Sequence, residues 1–268
     1  MEIQLWREIL IPYQQAVQEL KVKFSSIVHE NRRLGQYSPI EYVTGRVKKI
    51  SNILEKAKKK NIPINRIEKE IDDIAGIRIL CQFVEDIDKV VDLIRSRTDM
   101  EIKDEKNYIS NTKDSGYRSY HIIVYYNVHT ALGAKRIQAE IQIRTLSMNF
   151  WATIEHSLQY KYEHNIPYDI KKRLMNAAEA AFQLDQEMSL IRNEIIRAQN
   201  LFQVKSSIIA DILNNIQNLH KVTDNIKEVE QIQEEFYVLW EKGNFEQLDN
   251  FNKKLDMMAA GYKAQSLL

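Results

Sequence analysis

At Ile74 the apolar residues of this chain change period, and that change constrains the fold more than any other feature. The run IAGIRILCQF (74–83) is apolar at almost every position, as a buried strand requires, whereas VEDIDKVVDLIRS (84–96) returns to helical spacing. A second strand is expected at about 102–106, and residues 107–115 are polar and loop-like. Next, YRSYHIIVYYNV (117–128) and KRIQAEIQIR (135–144) read as two long strands joined by a turn near Gly133. With helical patterns on either side, this is the α+β class: a mixed β-sheet flanked by helices, followed by a long helical C-terminal region.

The flanks are helical for reasons of both pattern and composition. Seven glycines and four prolines in 268 residues leave few breaks, so long helices and short loops are expected. Residues 4–30 carry Leu5, Ile9, Tyr13, Val17 and Leu20 at helical spacing, as one helix or two. Ser38-Pro39-Ile40-Glu41 has an N-cap serine, a proline at the first helical position and a glutamate three after the cap. It predicts a helix from Pro39 to about Lys60, with Lys48, Asn52, Lys56 and Lys59 as a mostly basic stripe. Arg46 would then fall on the apolar side. If instead Gly45 interrupts the helix, VTGRVK is extended and Arg46 and Lys48 share a face; both readings stand.

Beyond Met148 the pattern is helical throughout. Ile170, Leu174, Ala177, Ala181, Leu184, Met188, Ile191, Ile195 and Ala198 alternate spacings of four and three, a coiled-coil seam. Such a seam packs either on its own domain's core or between helices or subunits. Three further helices are expected at about 206–222, 226–240 and 245–258. The expected organisation is a catalytic domain at 1–165, a long oligomerisation helix at 166–200 and a helical extension at 201–268.

A formal charge of +1 says little about partners, because basic and acidic stretches offset each other. No run of eighteen apolar residues and no signal-peptide core occur, so a cytoplasmic protein without a membrane partner is expected. The single cysteine, Cys81, excludes an intramolecular disulfide and a thiolate metal cluster, and reads as a buried strand residue.

Several residues could carry chemistry. Lysines in line along a helix would suit successive phosphate oxygens, although a solvated face explains such a stripe equally. Asp73 and Glu140 precede or enter apolar strands. If those strands are neighbours, the two carboxylates could converge on one Mg²⁺, which takes one or two carboxylates and fills its remaining sites with water and phosphate; otherwise each is a strand-end charge facing water. Asp72 beside Asp73 leaves the register open. Arg78 inside a strand is costly unless it meets an anion or stacks on a base. In GYRSYH (116–121), Gly116 would let backbone or a base approach, and Tyr117, Ser119 and His121 alternate to one face, with Lys113 just before. No HExxH, Walker loop or GxSxG is present, so zinc hydrolysis, P-loop chemistry and serine catalysis have no support.

Four segments together resemble one family: EYVTGRVKKISNILEKA (41–57), DIAGIRI (73–79), SGYRSYH (115–121) and EIQIRTLSMNFWATIEHSLQYKY (140–162). Their order and separations are similar to those of RelA/SpoT-type alarmone synthetases, specifically the small single-domain RelQ type. The resemblance implies a nucleotidyltransferase-like synthetase domain. Its reaction is transfer of the β,γ-pyrophosphate of ATP to the 3′-hydroxyl of GDP or GTP, giving AMP and ppGpp or pppGpp. It implies that Arg46 and Arg78 sandwich adenine, that Lys48, Asn52 and Lys56 hold the ATP phosphates, and that Asp73 and Glu140 bind Mg²⁺, with Glu140 also able to take the acceptor proton. At Asn52 the family pattern has serine. Tyr117 would stack on guanine and Asn149 read its edge, Lys113 and His121 would contact acceptor phosphates, and Arg144 and Glu155 would support the site. A homotetramer is implied as well, with Lys21, Glu41, Tyr42 and Thr44 suited to an activator cleft. The family's hydrolase is not expected, since no His-Asp dipeptide occurs. The alternatives are the same transfer to the 3′ end of tRNA, or a protein that regulates by binding single-stranded RNA; no DNA partner is expected.

Overall fold

The computed structural model describes residues 2–131, 133–161, 167–222 and 225–265. The chain divides into two compact units, Met1–Leu190 and Ile191–Leu268. In the first, helix α1 (Glu2–Arg33) leads to strand β1 (Tyr42–Val47), α2 (Ile50–Lys59), a short α3 (Ile67–Glu70), β2 (Ala75–Cys81), α4 (Val84–Arg95), β3 (Glu101–Asn107), β4 (Tyr120–Thr130), β5 (Gly133–Thr145) and α5 (Leu146–Lys161). The strands form one sheet in the order β1-β2-β5-β4-β3, with β2 and β5 parallel and the other neighbours antiparallel. The expected mixed sheet with flanking helices is therefore the fold.

Strand alternation divides the sheet into two unlike faces. Ile77, Ile79 and Cys81 of β2, Ala139, Ile141 and Ile143 of β5, and Ile122, Val124 and Tyr126 of β4 are buried in one core with Tyr13, Val17, Leu20 and Phe24 of α1 and Ile87, Val90, Val91 and Ile94 of α4. The residues between them, Gly76, Arg78, Glu140, Gln142, Arg144 and His121, turn to the opposite face. One face supplies the hydrophobic stabilisation and the other is free for chemistry. Pro12 lies inside α1, which nevertheless runs as one helix.

The helix expected from Pro39 does not form there. Ser38 Oγ bonds within its own turn, to the carbonyl (2.8 Å) and amide (3.2 Å) of Ile40, and caps no helix. Glu41 N–H then donates to Leu80 O, and residues 42–47 continue as an edge strand on β2. A cap is worth about 1 kcal/mol, less than a six-residue ladder with Val43 and Val47 against the core. Gly45 fits this arrangement: a Cβ there would lie 2.9 Å from both Ile77 Cδ1 and Val17 Cγ1, so its absence lets α1 pack closely. On α2, Ile53 and Ala57 are buried but Leu54 is exposed.

Helix α6 runs unbroken from Tyr168 to Val222, where separate segments on either side of Leu201 were expected; residues 199–207 contain no glycine or proline to stop it. Its residues Ala178, Asp185 and Ser189 are buried in the first unit, while the seam residues Leu184, Met188, Ile191 and Ile195 are exposed. These four seam residues therefore do not lie on a core of their own, whereas Ala181 packs against Trp151, Ala152 and Ala178. In the second unit, Ile212, Ile216 and Leu219 of α6 join Val229, Ile232 and Phe236 of α7 (Ile226–Lys242) and Leu248, Phe251 and Leu255 of α8 (Phe245–Gln265) in a separate core. Among the described residues no helix is long and apolar enough to cross a membrane.

Asp185 accepts hydrogen bonds from Thr145 and Ser147, but burial, the largest influence, holds its carboxyl above the usual range. A raised folded-state pKa means that the unfolded chain binds fewer protons, so this group's contribution is lost as pH rises. Asp185→Asn should thus equal or exceed the wild type in stability at neutral pH and lose that advantage as pH falls toward about 4. Urea melts of both proteins across that range check it.

Candidate functional site

The polar face of the sheet carries a cavity of about 270 Å³ lined by Thr44, Arg46, Lys48, Asp73, Gly76, Arg78, Glu140 and Gln142, among others. Register explains the convergence. Arg46 stands opposite Gly76 and Thr44 opposite Arg78, and across β2 Gly76 and Arg78 pair with Glu140 and Gln142. Gly76 leaves the floor between Arg46 and Glu140 without a side chain.

Asp73, two residues ahead of β2, takes Lys48 Nζ at 2.6 Å on Oδ2 and Lys56 Nζ at 2.8 Å on Oδ1. The Lys56 contact is an ion pair out of hydrogen-bond alignment, so buried Oδ1 keeps an unused lone pair. Burial favours the neutral acid, yet the two lysines outweigh it and hold the carboxyl below its usual range. Asp72 points elsewhere, to Lys103, which settles the register.

Glu140 lies in the middle of β5, farther inside a strand than its position in EIQIR suggests. Oε1 is 3.0 Å from His121 Nδ1, and Oε2 accepts from Gln142 Nε2 at 2.8 Å. Beyond these, His121 Nε2 meets Tyr117 OH at 2.8 Å, Tyr117 OH accepts from Arg144, and Arg144 also donates to Gln142 Oε1 at 2.8 Å. One proton assignment satisfies every bond: two arms leave Arg144, through Tyr117 and His121 and through Gln142, and both end on Glu140. Burial pushes the Glu140 carboxyl up, but the His121 and Gln142 contacts bring it below its usual range.

The cations are less evenly matched. Burial first, and then the charges of Arg144 and Arg46, lower the pKa of Arg78, whose Nε is buried without a hydrogen bond. A buried arginine whose charge two neighbouring arginines disfavour, with an orphaned donor of its own, is prepared for an anion or a base.

The sequence-predicted residues assemble unevenly. Tyr117 and His121 join through the network, and Lys113 joins through Tyr117, its Nζ 4.9 Å over that ring and 4.4 Å over Tyr108. Asn149, on α5, has a buried Oδ1 with no hydrogen bond. Asn52 is exposed on α2 and outside the cavity lining. Glu155 lines a different, larger cavity of about 410 Å³ with Asp114, Ser115 and Lys171. Lys21, Glu41, Tyr42 and Thr44 do not form one cluster within the chain: Lys21 lies on the α1 side of β1 near Gly45, Glu41 accepts from Gln82, and Tyr42 and Thr44 are exposed on the strand's other side. Gln142 and Tyr108 were missed, and Ser119 was named by its face without a role; Gln142 was findable, two residues beyond Glu140 on the same face.

Of the two approaches expected at Gly116, by backbone or by a base, the structure shows that of a helix. Gly116 adopts φ +86°, and a Cβ would sit 2.6 Å from Ala178 Cβ, so it is α6 that approaches closely. Arg118 secures the same junction through Glu179 (2.7 Å) and the Phe182 ring (4.3 Å). Gly116→Ala should cost about 1–2 kcal/mol for backbone conformation and about 1–3 kcal/mol for overlap. Gly133→Ala, at φ +106° with nothing within 4 Å, should cost the first part alone. Denaturant midpoints of the two variants test the difference.

A family model described as the region found in RelA/SpoT proteins matches residues 45–165. The chain is 53% identical over 205 residues to the GTP pyrophosphokinase YjbM of Bacillus subtilis (strain 168), covering 76% of this chain and 97% of that one. The crystal structure of small alarmone synthetase 1 from Bacillus subtilis bound to its product pppGpp aligns with a TM-score of 0.70 at 54% identity, over 72% of this chain and 98% of that chain. The same synthetase bound to AMPCPP aligns with a TM-score of 0.65 at 50% identity, over 72% of this chain and 99% of that one.

Proposed function

The chain belongs to the RelA/SpoT family of GTP pyrophosphokinases, and we propose on that premise that its polar cavity moves the β,γ-pyrophosphate of ATP onto the 3′-hydroxyl of GDP or GTP, making (p)ppGpp. The observation that carries the reading is one cavity in which Arg46, Arg78 and Lys48 face the carboxylates of Asp73 and Glu140, with Lys56 paired to Asp73 and Arg144 behind Gln142. A nucleoside triphosphate supplies both the negative charge and the planar base that such a cluster lacks.

Arg46 and Arg78 take the adenine, Lys48 and Lys56 the phosphates, with Asn52 at the rim. Asp73 and Glu140 suit Mg²⁺: an all-oxygen pair with a buried Asp73 Oδ1 out of hydrogen-bond alignment matches an ion that binds few carboxylates and several phosphate oxygens. Among the described residues no group of three or more His, Cys, Asp or Glu forms a closed cage. When bound, the ion neutralises phosphate charge. Tyr117 stacks on guanine, Asn149 reads its edge, and Lys113 and His121 meet the acceptor phosphates. His121 already uses both ring nitrogens, so it reaches a phosphate only by releasing Tyr117 or Glu140. Glu140 receives the 3′-hydroxyl proton as that oxygen bonds to the β-phosphorus and the bond from the α-phosphate bridge breaks, releasing AMP. Arg144 supports Tyr117 and Gln142, and Glu155 lines the neighbouring cavity. Catalysis in this scheme is alignment and charge stabilisation.

A cytoplasmic location belongs to the same reading, as does a homo-oligomer, supported by the exposed Leu184, Met188, Ile191 and Ile195. The test is incubation with Mg²⁺, γ-labelled ATP and GDP, GTP, GMP or tRNA in parallel. Label in guanosine tetra- or pentaphosphate with equimolar AMP is the expected result. Label on tRNA alone would move the assignment to an RNA-modifying enzyme, and no transfer would leave binding as the activity.

A further inference from the structure

We propose that Tyr108 is a positioning residue of the acceptor site, holding the Lys113 ammonium where the acceptor's phosphates arrive. This rests on the reading above, in which Tyr117 takes guanine and Lys113 the phosphates.

The loop between β3 and β4 is pinned at its base by Tyr108 N–H to Ser119 O (2.9 Å) and folded back by Gly116 N–H to Lys113 O (2.8 Å). Tyr108, Tyr117 and His121 meet edge to face inside it: Tyr108 is 5.1 Å from His121 at 85° and 6.1 Å from Tyr117 at 66°. The Lys113 ammonium sits over both tyrosines and, among the described residues, has no carboxylate partner.

A cation 4.9 Å from the Tyr117 centroid occupies the ring face that a purine needs. Arg144 lies 5.0 Å from the same centroid but is fixed by Ser119 and Gln142, so Lys113 is the group that yields when a base enters. Tyr108 gives it somewhere to remain. With that second ring 4.4 Å away, the ammonium surrenders one aromatic contact instead of two and does not swing into solvent, where re-ordering a lysine side chain would cost entropy. It stays beside the base, on the loop that also carries Tyr117. Base stacking and phosphate capture thereby become separate events on two rings, and the acceptor class this favours is a guanine nucleotide that brings its own 5′-phosphates.

The test compares Tyr108→Leu with Tyr108→Phe in initial-rate assays, with thermal melting as the check on folding. Leucine should raise the KM for GDP and GTP about two- to five-fold, the range of a partly exposed cation–π contact, and phenylalanine should restore it. The KM for ATP, read as bound by Arg46, Arg78 and Lys48, should not move. An unchanged acceptor KM in Tyr108→Leu, a Phe variant as impaired as Leu, or equal shifts in the KM for ATP and acceptor would each overturn the proposal while leaving the enzyme reading intact. A wild-type protein that transfers nothing to GDP or GTP overturns the underlying reading and this proposal with it.

Discussion

Asp73→Asn should lower the turnover of pyrophosphate transfer by about 10²–10³-fold, the loss typical of removing one preorganised electrostatic contact, without raising the KM for ATP. The substitution keeps the side chain's shape and removes its charge. In the wild type each Asp73 oxygen is matched by a lysine. In the variant Lys48 and Lys56 are left beside an amide, and Lys48 joins Arg46 and Arg78 around a cavity whose remaining acid is Glu140. A polyphosphate should bind that more positive cavity at least as well as before, so the defect falls on kcat. Steady-state kinetics separate the two constants, and a thermal melt confirms that the half-exposed lysines keep the fold. If the KM for ATP rises while kcat holds, Asp73 is a binding contact and the metal assignment is wrong.

The site was legible where strand alternation carried it. Glu140 and Arg78 line one cavity, because a period of two needs only the strands to exist, while Tyr117 meets His121 although β4 starts only at Tyr120. Lys48 and Lys56 converge on Asp73 even though Lys48 precedes α2 instead of lying on it: an extended residue and a helical one reach the same carboxylate by a route that spacing on one helix could not show. What local pattern misjudged was Ser38-Pro39. Its capping signals are genuine but lose to pairing with β2, whose paired residues lie 28 to 38 positions further along the chain. Which of its two expected neighbours Gly116 admits was hidden for a related reason, since Ala178 and Met175 arrive from α6. The unbroken α6 was hidden because nothing in 199–207 says where a helix stops, and nothing there says that it continues.

Glu140→Gln should be the more disruptive change, with turnover lost by at least about 10²–10³-fold, because here charge and hydrogen-bond polarity fail together. The carboxylate accepts from His121 on one oxygen and from Gln142 on the other. A glutamine offers one acceptor and one donor, so its NH₂ must face either His121 Nδ1–H or the Gln142 amide N–H, and one buried donor pair stays unsatisfied at a cost of about 1–3 kcal/mol. The imidazole can answer by changing tautomer, but then Nε2 carries the proton and Tyr117 loses its acceptor while Arg144 still donates to the same hydroxyl. The fault is passed along the arm to the ring that is to hold guanine. Glu140→Gln should therefore also raise the acceptor KM, unlike Asp73→Asn, whose lysines absorb the change locally. Glu140→Asp keeps the charge and both acceptors but withdraws them by one methylene, and a displacement of about 1 Å can itself cost on the order of 10²-fold. Turnover and acceptor KM of the two variants, measured beside wild type, decide the matter: an active Glu140→Gln with an unchanged acceptor KM would mean that neither the proton acceptor nor the network around it matters to the reaction.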